Sequence, residues 1–124
     1  MIAADSSSLI DYLKEIDRSD CRLIHKATRD NLLVLPPIVI TEILSNMISG
    51  SKFWPLRGGV ILLDITDGYW ERAGLMREKI ISKGIKVKIP DTLIAQSCID
   101  HKVPLITADA DFQKFTAFGL KLAK

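Results

Sequence analysis

The sequence predicts an α/β fold of three layers, α/β/α, around a central and mainly parallel sheet. Three observations carry this. Short apolar runs alternate with stretches of helical periodicity along the whole chain. The loops between them are short, so strand, helix and next strand form crossover units that cover a sheet on both faces. The chain has 124 residues, 48% of them hydrophobic, which is enough for one domain with a real core and too little for two.

The elements follow in order. "IAAD" (2–5) reads as a strand ending at Asp5, and "SSSLIDYLKEI" as a helix with Leu9, Ile10, Leu13 and Ile16 on one face. "DCRLIHKATR" (20–29) is a second amphipathic helix and "NLLVL" (31–35) the next strand. In "PPIVITEILSNMISG" the proline pair and the i, i+4, i+8 apolar spacing predict one helix stopped by Gly50. "SKFWPLRGG" (51–59) reads as a loop and "VILLDI" (60–65) as a brief strand. "DGYWERAGLMREKIISKG" is a helix capped by Gly84, "KVKI" a strand, and "DTLIAQSCIDH" a helix with Asp91 near its N-cap. "VPLIT" is a buried strand, "DFQKF" a helical turn and "LKLA" a last edge strand.

Composition excludes several classes. No apolar stretch approaches the roughly 20 residues that cross a bilayer. "MIAADSSS" lacks the basic and apolar regions of a secretion signal, so a cytoplasmic location is expected. Cys21 and Cys98 are too few and too distant for a zinc knuckle, a CxxC pair or a disulfide framework, and reduced thiols are expected. A net charge of +2 does not diagnose a nucleic-acid binder. The cations from Arg72 to Lys88, including Arg77, Lys79 and Lys83, form either a solvated helix face or a weak surface for RNA phosphates. His25 and His101 lack a partner at ligand spacing and read as ordinary surface residues.

The chemistry lies in the acids. In open parallel sheets, ligands bind beyond the carboxyl ends of the strands. Asp5, Asp91 and Asp109 all follow strand candidates, so right-handed crossovers bring them to one edge of the sheet. Taken singly, Asp5 and Asp91 are also good helix caps, and Asp109 and Asp111 good turn residues. Glu42 lies between Ile40 and Ile43 in an apolar helix, facing either solvent or the interior, where it needs compensation. Together the acids repel one another and persist near neutral pH only if protons or cations neutralise them. A site of oxygens without thiolates or spaced histidines favours Mg²⁺ or Mn²⁺ over zinc.

"AADSSSLIDYL", "ITEIL", "IPDTLIAQSCIDH" and "LITADADF", in this order and spacing, resemble the four motif segments of PIN-domain ribonucleases, most closely the VapC toxins of toxin-antitoxin pairs. The resemblance covers essentially the whole chain, here residues 1–124, and implies a PIN-like sandwich. It assigns catalysis to Asp5, Glu42, Asp91 and Asp109, with Asp5, Asp91 and Asp109 holding Mg²⁺ or Mn²⁺ and Ser7, Thr107 and Asp111 in support. It implies endoribonuclease activity with metal-activated water, an RNA substrate, a VapB-like antitoxin partner and a homodimer; "SKFWPLRGG" and Trp70 offer aromatic candidates for an interface. A receiver-like phosphoacceptor domain is the competing enzyme class, but "IAADSS" lacks its acidic pair and "LITADADF" its lysine. A haloacid dehalogenase reading of "DAD" fails because only residues 112–124 follow it. A non-catalytic PIN-fold binding module is the competing non-enzyme.

Overall fold

Residues buried on both sides of a sheet must be apolar and small enough to accept helices above and below. In the computed structural model, which describes residues 1–124, the inner strands are made of such residues, whereas one edge strand exposes Ile61. The strands are β1 (Ile2–Ala4), β2 (Leu33–Leu35), β3 (Ile61–Leu62) and β4 (Leu105–Ile106). Ala3, Ala4, Val34, Leu35, Leu105 and Ile106 are all wholly buried. The four strands form one fully parallel sheet in the order β3-β2-β1-β4. Ala3 pairs with Val34 on one side and with Leu105 on the other, which puts β1 at the centre.

Six α-helices complete the layers: α1 (Ser6–Leu13), α2 (Ser19–Arg29), α3 (Pro37–Ser45), α4 (Met47–Arg57), α5 (Tyr69–Ile81) and α6 (Ile89–His101). A 3₁₀ segment, Ala110–Phe118, follows β4. The architecture is the three-layer α/β/α sandwich with a central parallel sheet, and its core is a continuous cluster of 26 buried residues. No helix is long and apolar enough to cross a membrane.

Four local expectations differ from the structure. The helix over 36–50 is two helices, broken at Asn46, whose side chain accepts from the Ser49 N–H at 2.9 Å and so starts α4. Gly50 is not a stop but lies inside α4, where an added Cβ would come 3.3 Å from the Leu44 carbonyl oxygen at the end of α3. The "SKFWPLRGG" loop is mostly the rest of α4: Phe53 is wholly buried and anchors the helix, and Pro55 lies near its C-terminal end. Trp54 and Trp70 are more than half exposed.

"KVKI" is not a strand. Its carbonyls are met by side chains instead of a ladder, Lys86 by Lys114 Nζ at 2.7 Å and Val87 by Arg77 at 3.0 Å, and Pro90 favours a helical start at Ile89. "LKLA" contributes one parallel bridge, Leu105 to Leu122, beside β4.

The strand order fixes where chemistry can happen. The connections from β1 to β2 and from β2 to β3 run toward one edge, whereas β4 lies across β1 from both and the chain then continues to the bridge at Leu122 on the far side. Connections leaving β1 and β4 diverge, and a crevice opens between their carboxyl ends. Asp5 and Thr107 are the residues directly after those two strands.

Candidate active site

The chain leaves β1 at Asp5 and turns at once into α1, so Asp5 is its N-cap. Its Oδ1 accepts from the Ser8 N–H at 2.9 Å. Its Oδ2 accepts from the Thr107 hydroxyl at 2.6 Å and from the Ser7 hydroxyl at 3.2 Å. Thr107 Oγ1 in turn accepts from the Asp109 N–H at 3.0 Å, so the ends of β1 and β4 are tied through one hydroxyl. Asp5 is only 2% exposed. Burial pushes its carboxyl above the ordinary value, and the hydrogen bonds from Thr107, Ser8 and Ser7 pull it part of the way back.

The serine run after Asp5 has a separate task for each hydroxyl. Ser6 donates to Glu42 Oε1 at 2.6 Å and thereby holds the one acid of α3 against the start of α1. Ser7 serves Asp5. Ser8 donates to Asp20 Oδ2 at 2.7 Å and accepts from the Ala108 N–H at 3.2 Å, bracing the loop that leads to Asp109. Asp20 is buried and gripped by Arg18 at 2.6 and 2.8 Å; that hydrogen-bonded guanidinium holds its carboxyl far below the usual range. Sequence reasoning missed Ser6, Ser8 and Asp20. The three consecutive serines were a signal, but Asp20 had none, because only the packing of α2 on α1 turns it inward.

Asp91 arrives on α6. The helix starts two residues before it, with Lys88 as N-cap, so Asp91 lies in the first turn and makes no capping bond. Asp109 caps the 3₁₀ segment, its Oδ1 accepting from the Asp111 N–H at 2.9 Å. Carboxylate oxygens of Asp91, Asp109 and Asp111 all lie within 4.8 Å of one another. Asp111, expected as a support, therefore stands with Asp91 and Asp109, while the oxygens of Asp5 are engaged by hydrogen bonds beside that trio. Burial pushes the Asp91 carboxyl up; the charges of Asp109, Asp111 and Asp5 push it further, and Lys88 opposes them. Helix N-termini behind Asp5 and Asp91 offset part of this repulsion.

A pH dependence follows. An aspartate whose folded pKa is raised binds more protons in the native state, so its ionisation costs stability as pH rises from the ordinary value of 3.8 through the folded value. Asp91→Asn removes that cost. The variant is expected to match the wild type near pH 3.5 and to melt progressively higher than it as pH rises, before levelling off. A gain that shrinks with pH, measured by thermal melts without divalent ions, contradicts the assignment.

The other expected residues stand apart. Arg72 is bound to Asp100 at 2.6 Å, to Thr66 at 2.8 Å and to the Asp67 carbonyl at 2.6 Å, and Arg77 holds the Val87 carbonyl. Lys79 and Lys83 are exposed. His101 meets the Asp64 carbonyl and His25 the Tyr12 hydroxyl, so neither joins the acids. Cys21 and Cys98 are unpaired and buried.

Among curated proteins, none matches the sequence. Solved structures share the fold. One is a chain of VapBC2 from Rickettsia felis, bound to a DNA fragment from their promoter: the match covers 99% of this chain and 98% of that one, with TM-score 0.78 at 19% identity. Another is a chain of FitAB bound to an IR36 DNA fragment, covering 99% and 94%, with TM-score 0.70 at 16% identity. The family model of the PIN domain matches residues 2–117, a span that takes in the acids from Asp5 to Asp111, and the chain belongs to the PIN-domain family.

Proposed function

We propose that the protein is a divalent-metal-dependent endoribonuclease and the toxin of a toxin-antitoxin pair. The observation that carries this is the convergence of Asp91, Asp109 and Asp111 beside the Asp5–Thr107 link at the crevice between β1 and β4.

The donor set fits a hard cation. Ligand oxygens around Mg²⁺ at about 2.1 Å stand up to roughly 4.2 Å apart, and the trio, within 4.8 Å, needs only small side-chain rotations to reach that spacing. All the donors are carboxylate oxygens, with no thiolate or imidazole to select zinc. When bound, Mg²⁺ or Mn²⁺ supplies charge neutralisation at the phosphate and acidifies a water for attack. Asp91, Asp109 and Asp111 would hold the cation, with Asp5, whose charge reaches Asp91, as a further ligand. Glu42, fixed through Oε1 by Ser6 against the start of α1, would be the remaining acid of the site. Thr107 and Ser7 keep Asp5 oriented. Lys88, whose charge reaches Asp91, offers the RNA backbone a cation beside the acids.

VapBC2 and FitAB are two-component assemblies, which supports an antitoxin partner for this chain. Met47, Ile48 and Trp54 on α4 are exposed apolar side chains for such contacts.

The test is cleavage of total RNA with mapped ends. Cutting is expected with Mg²⁺ or Mn²⁺ and none in EDTA; metal-independent cutting defeats the proposal. Thr107→Val, which removes the hydroxyl between Asp5 and Asp109, is expected to lower metal affinity about 10- to 100-fold, read by Mn²⁺ titration.

A further inference from the structure

A groove of about 760 Å³ runs along α1 and α2 and has no part in the chemistry described above. On α2, Arg22, His25, Lys26 and Arg29 follow at i, i+3, i+4 and i+7, which puts them on one face, and all four are exposed. Lys52 of α4 joins the lining. Four cations, Arg22, Lys26, Arg29 and Lys52, face two acids there, Glu15 and Asp17, and Asp17 is already paired with Arg22 at 2.5 Å. Tyr12 and His25 stand together in the same wall, ring centroids 6.1 Å apart.

The groove does not end in isolation. A second cavity of about 390 Å³ shares Arg22 and Lys26 with it and is lined by Thr107, whose hydroxyl holds Asp5, and by Lys124. Cationic surface therefore continues from the edge of the acid cluster along α2. The helical rise places Arg29 about 10 Å beyond Arg22, the length of about three phosphates of a stacked strand.

We propose that the groove between α1 and α2 is a subsite for single-stranded RNA, taking nucleotides beyond the scissile phosphate. Lys26 and Arg29, with Arg22, hold phosphates, and Tyr12 beside His25 gives a base a face on which to stack. The aromatic pair favours a nucleic acid over an acidic peptide, which would use the cations alone. The proposal rests on the ribonuclease reading for its substrate but not on the cutting chemistry, so binding and cutting are measured separately.

Binding of a labelled oligouridine is followed by fluorescence anisotropy in EDTA with the full chain carrying Asp91→Asn. Adding Lys26→Gln and Arg29→Gln is expected to weaken binding at least fivefold near 0.1 M salt. The slope of log affinity against log salt should become shallower by roughly 1.4, about 0.7 for each phosphate that the protein then leaves unneutralised. Tyr12→Leu should weaken binding about fivefold or more, whereas Tyr12→Phe, which keeps the ring, binds as the parent does. Removing two cations elsewhere, Lys14→Gln with Lys102→Asn, should change affinity less than twofold. Parent-like affinity and slope after the α2 substitutions overturn the subsite, as does an absence of RNA binding. Oligoglutamate that binds as tightly and is released by the same substitutions overturns it in favour of an acidic peptide. RNA binding that depends on the α2 stripe in a protein that cuts nothing with Mg²⁺ or Mn²⁺ upholds the subsite and sinks the nuclease reading.

Discussion

Asp91→Asn is expected to lower metal-dependent RNA cleavage by about 10³-fold, the scale of losing a principal electrostatic group in an active site. Of the clustered acids, Asp91 has the fewest other duties: it caps no helix and has no hydrogen-bonded partner, so its carboxylate belongs to the cluster alone. Asn keeps the shape and the first turn of α6 but removes the charge that a cation requires. Repulsion between two unit charges at this separation is on the order of 1 kcal/mol even in water-like surroundings, so the metal-free variant should also melt a few degrees higher at neutral pH. Loss of activity with gain of stability is the signature of a site whose like charges are kept together for function. Single-turnover cleavage and a thermal melt of the same preparation measure both; an active Asp91→Asn, or an inactive one that is also unstable, removes Asp91 from the role.

Phe112→Ala is expected to cost about 3–5 kcal/mol, because it empties a fully buried aromatic site. In a domain of this size that corresponds to a fall in melting temperature of about 10 °C or more. Phe112 follows Asp111 directly and packs its ring on Phe115 at 5.8 Å, so it pins the short segment that aims Asp109 and Asp111 into the cluster. Cleavage well below the melting temperature should therefore fall as well, with Mn²⁺ affinity falling alongside it. Phe112→Leu, which refills most of the space, should recover much of both. If Phe112→Ala binds Mn²⁺ as the wild type does, the ring is part of the core alone and does not position the acids.

Elements whose reason is local were legible. The proline of "PDTLIAQS" and the polar run of "DSSSLIDYL" start helices by their own backbone chemistry, and the strands after them are apolar because a sheet covered on both faces needs them so. The elements that were misread depend on neighbours. "SKFWPLRGG" looks like a loop, with its proline and two glycines, but Phe53 fills the core and holds it helical. "KVKI" looks like a strand by composition, yet Arg77 and Lys114 satisfy its carbonyls from the side.

By itself the sequence determined the fold class and the acids just past two strands, Asp5 after β1 and Asp109 after β4, because alternation, caps and apolar runs act over a few residues; Asp91, expected after a strand at "KVKI", follows none and arrives in the first turn of α6. Only the tertiary structure decided that Asp111 stands with Asp91 and Asp109, that Asp5 is tied down by Thr107 from 102 positions away, and that Arg72 and Arg77 are already engaged. Those arrangements depend on how strands order themselves and how helices pack. Through-space distances between residues far apart in the chain exist only once the sheet has formed.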